Sequence, residues 1–168
     1  MKIAVLLATF AVILPAADQS KEITAQAKRG MELFRTSAKG ACAACHQMEG
    51  FGTAAAPDLS KTAAVLPPRA LAMAIRATMT VYVQEVKPKG GTPFPGIKAE
   101  DGSYFDVSKN PPEQHKFAKG DADFGANTKW KHPPQSQDYS NEQLADIIGY
   151  LRFVAAGDKR PVDPDILQ

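Results

Sequence analysis

The sequence has no strong excess of charge of either sign. Its 168 residues carry a formal net charge of +2, and no run of lysine and arginine is interleaved with aromatic side chains. The composition therefore gives no reason to expect a nucleic-acid partner. Hydrophobic residues at 44% and charged residues at 23% are typical of a globular chain, and the length suits one domain.

The sequence also lacks an apolar run long enough for a permanent membrane anchor. The run over residues 3–14 would be about 18 Å long as a helix, against a hydrocarbon core of about 30 Å. Lys2 precedes it, and Pro15, Ala16 and Ala17 follow it, which is the pattern of a secretory signal. We predict a signal peptide over residues 1–17, one mature domain over residues 18–168 without a stable membrane span, and a periplasmic or otherwise extracytoplasmic location.

Only two cysteines are present, Cys42 and Cys45, and His46 follows the second. Cys-x-x-Cys-His supplies two thiols for the two vinyl groups on one haem edge and an imidazole for the iron. A structural zinc site needs four ligands, yet there is no third cysteine, and the other histidines are His115 and His132. A thioredoxin-like pair would lie in an alternating strand–helix pattern, which is not seen. We predict one covalent haem c on Cys42 and Cys45, with His46 on the iron.

Helices are predicted on both sides of this motif. One apolar stripe before it consists of Ile23, Ala27, Gly30 and Phe34. Near the end of the chain, Ser140 and Gln143 form a capping box, and Gly157 is a natural stop. The apolar positions of that last helix are Leu144, Ile147, Ile148 and Leu151. Pro67 and Pro68 open a further helix, whose apolar face carries Leu71, Ile75 and either Thr78 or Met79.

With these flanks the sequence resembles the class I c-type cytochrome family, over about residues 20–80 and 130–157. The resemblance implies an all-α cytochrome c fold in which Gly30 and Phe34 cross the last helix near Tyr150 and Leu151. It also implies that the Pro57 carbonyl accepts a hydrogen bond from His46, and that Leu59 packs on the haem.

The second axial ligand is where the sequence departs from the family. Most relatives use a methionine followed by proline shortly before the last helix, but no methionine follows Met79 here. The segment Trp130-Lys131-His132-Pro133 places a histidine at that point, eight positions before Ser140. We predict His132 as the second ligand and Trp130 as a further haem-binding residue. Met79 is the rival ligand, and we interpret His115 as solvated.

The resemblance does not cover residues 81–131, which are rich in glycine, proline, lysine and aspartate. Residues 81–83 and 104–107 have strand character, and Asp101-Gly102 is a good hairpin turn. We predict an irregular insertion with room for a small β-hairpin. Two interpretations remain open: the insertion covers the haem edge or a partner-binding surface, or it is a solvated loop without a role.

For function, the resemblance implies an electron-transfer protein rather than an enzyme. It would carry single electrons between a donor and an acceptor redox protein outside the cytoplasm. One alternative is the cytochrome subunit of a larger oxidoreductase, bound to a dehydrogenase partner. The other is a gas sensor or a peroxidase-like enzyme, which requires an open sixth position on the iron.

Overall fold

The computed structural model describes residues 22–36, 42–77, 82–126, 130, 132 and 138–168. In these ranges the chain forms four α-helices: α1 (Ala25–Thr36), α2 (Leu59–Val65), α3 (Pro68–Arg76) and α4 (Asn141–Ala156). It also forms two antiparallel sheets, of two and five strands. The prediction of an all-α fold is therefore wrong, and the fold is mixed α and β. The predicted signal peptide, residues 1–17, lies outside the described residues.

Helices α1 and α4 cross at the predicted glycine. Ala27, Gly30 and Phe34 are the buried residues of α1, as the apolar stripe indicates. A Cβ atom on Gly30 would lie 1.9 Å from the carbonyl oxygen of Asp146, so this approach of the two backbones requires glycine. The rings of Phe34 and Tyr150 pack nearby, with centres 5.6 Å apart. The predicted crossing is confirmed, and it belongs to the main hydrophobic core.

The ends of α4 are also confirmed. The Ser140 hydroxyl accepts a hydrogen bond from the Gln143 backbone N–H at 3.2 Å, and the Gln143 side chain accepts one from the Ser140 N–H at 3.1 Å. This reciprocal pair satisfies two N–H groups that have no partner within the helix. At the other end Gly157 adopts the left-handed conformation, with φ at 64°, and ends the helix.

Helices α2 and α3 follow the haem motif and pack beside α4. The side chain of Asp58 caps α2 by accepting a hydrogen bond from the Ser60 N–H at 2.7 Å. Pro68 occupies the first position of α3, as predicted, and Leu71 is buried. Thr78 and Met79, also placed on this helix by the sequence pattern, lie outside the described residues. The chain after α4 returns to the same core, where Val162 and Leu167 are buried.

The described part of the insertion is a five-stranded antiparallel sheet rather than an irregular loop. Its strands are β3 (Val83–Pro88), β4 (Phe94–Lys98), β5 (Tyr104–Asp106), β6 (Glu113–His115) and β7 (Ala122–Ala126). Their order across the sheet is β6-β5-β4-β3-β7. The predicted Asp101-Gly102 turn joins β4 to β5, with Gly102 at a φ of 81°. The hairpin is thus present, but β4 lies between the two strands that were predicted.

One face of this sheet carries an aromatic cluster with its own small core. Val86, Phe94, Tyr104 and Ala122 are buried there, and Phe117 packs against them. His115 belongs to this cluster, since its ring centre lies 4.9 Å from that of Phe94 and its ring stacks on Phe117. The interpretation of His115 as a solvated loop residue is therefore wrong. Strand β6 holds it half-buried among aromatic rings, because residue 115 lies opposite Tyr104.

Candidate functional site

The two cysteines and His46 project from a single tight turn. Cys42–Ala44 form one turn of 3₁₀-helix. The backbone carbonyl of Cys42 accepts hydrogen bonds from the N–H groups of Cys45 and His46, at 3.1 and 2.8 Å. This turn brings both thiols and the imidazole to one place within five residues. Both thiols are free.

The raised pKa values of the two thiols argue against a disulfide-exchange role. Burial raises the pKa of the Cys42 thiol to about 11, and burial also raises the pKa of Cys45. Redox-active Cys-x-x-Cys pairs have the opposite property, a lowered pKa that supplies a thiolate at neutral pH. A zinc site is disfavoured too. Across the described residues, no group of three or more His, Cys, Asp or Glu side chains is arranged to hold a metal ion.

The orientation of the His46 ring is fixed by Pro57. Its Nδ1 atom lies 2.8 Å from the Pro57 carbonyl oxygen, which is the hydrogen bond that the family resemblance implies. A carbonyl can only accept, so Nδ1 carries the proton and Nε2 keeps its lone pair. Burial lowers the pKa of His46, which favours the neutral ring. The side chain is thereby prepared to bind a metal through Nε2.

A small β-hairpin that follows His46 packs against the turn that carries Cys42, Cys45 and His46. Strands β1 (Gln47–Met48) and β2 (Phe51–Gly52) pair through a tight turn at Glu49 and Gly50, both with positive φ. The chain then folds back, and the Cys45 carbonyl accepts hydrogen bonds from the N–H groups of Ala55 and Ala56. Gly52 makes this close packing possible, since a Cβ atom there would lie 2.3 Å from the His46 carbonyl oxygen. Gly52 was missed by the sequence analysis; its pairing with Gly50 around Phe51 was the available signal.

We expect Gly52→Ala to destabilise the protein by more than Gly50→Ala does. Both glycines have positive φ, 100° and 77°, so each substitution has a conformational cost of about 1–2 kcal/mol. Only at position 52 does the added carbon meet backbone atoms; at position 50 it meets nothing within 4 Å. Urea unfolding of the two variants measures the difference, and equal losses would contradict the close packing under His46.

His132 lies opposite His46, although 86 positions separate them in the sequence. The centres of the two rings are 6.2 Å apart, and their planes are tilted by 44°. Burial, together with the nearby His46, lowers the pKa of His132, so this ring also favours its neutral form. Both rings are half-buried.

The spacing of the two rings fits one metal ion between them. If each imidazole nitrogen binds the metal at about 2.0–2.1 Å and each ring centre lies about 1.1 Å behind it, the centres are roughly 6.2–6.4 Å apart. The observed 6.2 Å agrees with this value. With two thiols beside His46, the donor set suits a haem, which Cys42, Cys45, His46 and His132 would hold.

The other candidate residues are placed as follows. Met48 is fully buried in the main core, and Met73 is 68% exposed. Met79, the rival ligand, lies outside the described residues. Leu59 is half-buried at the start of α2 and packs against the main core, and Trp130 is half-buried two positions before His132. Their roles in haem binding stay predictions.

Comparison with known proteins shows which family part of this chain is similar to. Residues 27–105 match the family model described as Cytochrome c. The resemblance to that family is confirmed over these residues, and the match supports a haem-binding, electron-transfer protein. No curated protein matches the chain significantly.

The extent of the match differs from the predicted extent. It includes most of α1, the Cys-x-x-Cys-His motif, Pro57 and Leu59, but it continues through β3, β4 and most of β5. It ends before His132 and α4, both of which lie within the predicted extent of the resemblance. The assignment of His132 therefore depends on the geometry of the site and not on the family match.

Cytochrome c domains are usually extracytoplasmic or membrane-associated. Among the helices of the described ranges, none combines the length and apolar character that crossing a membrane requires.

Proposed function

We propose that the chain is an exported cytochrome with one covalent haem c, which passes single electrons between a donor and an acceptor redox protein outside the cytoplasm. Cys42 and Cys45 would form the thioether bonds, and His46 and His132 would be the axial ligands. The observation that carries the proposal is the separation of the His46 and His132 rings, 6.2 Å between centres, beside two half-buried cysteines.

The number of haems follows from the cysteines. Covalent attachment in this pattern uses two thiols for each haem, and the whole sequence contains two. When bound, the haem supplies the one-electron couple of its iron. The role of the chain would be to hold that group, to fix the tautomer of His46 through Pro57, and to offer the iron two half-buried imidazoles.

The presence of His132 favours electron transfer over gas binding. A gas sensor or a peroxidase-like enzyme needs an iron position that a small molecule can occupy. An imidazole that lies opposite His46 at ligand distance would occupy it.

We expect the ferrous protein to react slowly with carbon monoxide, and the His132→Ala variant to react rapidly.

A decisive test is the His132→Met variant. We expect its reduction potential to rise by on the order of 0.1 V, because a thioether stabilises ferrous iron relative to imidazole, within the roughly 0.8 V range that axial ligands span. A sulfur-to-iron charge-transfer band should appear at the red end of the ferric spectrum. Redox titration and absorption spectroscopy measure both changes.

The matched control is Met79→Leu, which should leave the spectrum and the potential almost unchanged. A sulfur band in the wild-type protein that disappears in Met79→Leu would contradict ligation by His132. The cytochrome assignment itself would survive that result, because it depends on Cys42, Cys45 and His46.

A further inference from the structure

Among the residues that the structure describes, strand β7 forms an open edge of the five-stranded sheet. It pairs with β3 on one side, and it is the last strand in the sheet order. Asp123, Phe124, Gly125 and Ala126 are exposed, and the large ring of Phe124 is 46% exposed. The opposite edge is better protected, since β6 has three residues and follows Pro111 and Pro112.

The ladder between β3 and β7 shows which backbone groups face outward. The N–H of Lys89 donates to the carbonyl of Asp121 at 2.8 Å, so this pair is hydrogen-bonded. Bonded and non-bonded pairs alternate along an antiparallel ladder. Asp123 and Gly125 therefore direct their N–H and C=O groups toward β3. The same groups of Ala122, Phe124 and Ala126 point away from the sheet, where no described strand receives them.

We propose that β7 pairs antiparallel with β7 of a second copy of the chain, centred on Phe124, and so joins two five-stranded sheets into one. In this register the outward N–H groups of Ala122, Phe124 and Ala126 each meet a carbonyl group of the other copy. The two Phe124 rings lie opposite each other and extend the aromatic face, where each already stacks on Tyr104 at 4.5 Å.

The side chains of β7 allow two copies of the strand to pair without setting like charges opposite each other. The sequence Ala-Asp-Phe-Gly-Ala sets Asp123 of one copy opposite Gly125 of the other, and each Ala122 opposite an Ala126. Lys87 lies next to Asp123 in the chain's own sheet, and Glu85 lies next to Gly125. Asp123 of one copy and Glu85 of the other carry like charges, and Gly125 of the second copy therefore lies between them. A register centred on Asp123 would set two carboxylates directly opposite each other, which is destabilising.

The contact is small compared with a standard interface, so we expect reversible dimers whose fraction rises with concentration. Sedimentation of the holoprotein over a wide concentration range measures this association without reference to its redox role. The haem absorption spectrum, recorded on each sample, shows separately whether the proposed haem site is intact.

Two substitutions test the register. Ala126→Pro removes an outward N–H that β3 does not use, so the sheet should persist while the dimer is lost. Ala126→Ser keeps that N–H and should still dimerise.

Gly125→Lys places an ammonium group opposite Asp123 of the second copy, at a position where a Cβ meets nothing within 4 Å. Since two such pairs form, we expect the dimer Kd to fall about 2- to 30-fold relative to Gly125→Gln.

A wild-type protein that stays monomeric at every concentration would overturn the proposal and leave the edge to a different partner. So would a dimer that Ala126→Pro leaves unchanged, because another surface would then form it. Far-UV circular dichroism shows whether each variant retains its fold.

Discussion

The double variant Cys42→Ala, Cys45→Ala should retain no haem after denaturing electrophoresis, whereas the wild-type chain should keep one haem through the same treatment. Thioether bonds survive denaturation, but the proposed coordination by His46 and His132 would not, because unfolding separates the two rings. Peroxidase staining of the gel and intact-mass spectrometry measure the difference. Each single variant should keep haem through one remaining bond, in lower yield.

A matched control for this experiment is Ala44→Ser, which alters the same turn and leaves both thiols in place. Ala44 is half-buried, and it belongs to the turn in which the Cys42 carbonyl accepts a hydrogen bond from the His46 N–H. This variant should stain as strongly as the wild type. Haem-linked staining of the double variant would refute covalent attachment through Cys42 and Cys45.

The part of the site that the sequence predicts well is local. Cys42, Cys45 and His46 lie within five residues, so one turn determines their geometry, and Pro57 is only 11 positions away. The capping box at Ser140 is equally local. The proximity of His46 and His132 is not local in this sense. The two residues are distant in the sequence, and only folding brings their segments together. Its prediction came from the place of His132 before the last helix, and the observed ring separation supports it.

The five-stranded sheet was missed because its strand β4 contradicts the usual preferences. Pro95 and Gly96 occupy the middle of that strand, and both residues disfavour strands. The fold tolerates Pro95 because its carbonyl still accepts from the Val107 N–H at 3.0 Å, just beyond the end of β5. Gly96 is required by packing, since a Cβ atom there would lie 2.4 Å from the Val86 side chain.

Each of these features depends on neighbouring strands that the local sequence does not reveal. The aromatic residues also gave little indication, because Phe94, Tyr104, Phe117 and Phe124 are spread over 31 positions. They form one cluster only after the strands pair. Sequence patterns therefore predicted the helical half of the chain better than the sheet, and tertiary context determined the rest.

The largest stability change in the helical half should come from Gly30→Val. The backbone of α1 touches that of α4 at this point, and a Cβ atom would lie 1.9 Å from the Asp146 carbonyl oxygen and 2.9 Å from the Ile147 nitrogen. The atoms in the way are backbone, so the helices themselves must separate. That separation would also disturb the two hydrogen bonds from Arg29 to the Asp146 carboxylate, at 2.7 and 2.9 Å. We expect a loss of about 3 kcal/mol or more in the free energy of unfolding.

Gly30→Ala separates this clash from helix propensity. In a helix without crowding, Gly→Ala stabilises by about 1 kcal/mol, so a loss at position 30 must come from the crossing. The matched control is Gly149→Ala on α4, where the added carbon lies 3.0 Å from the end of the Gln26 side chain. A side-chain end can move, so this variant should change stability by less than about 1 kcal/mol. Urea unfolding of the holoproteins measures all three variants. If Gly30→Ala were as stable as the wild type, α1 and α4 would not be in backbone contact at Gly30.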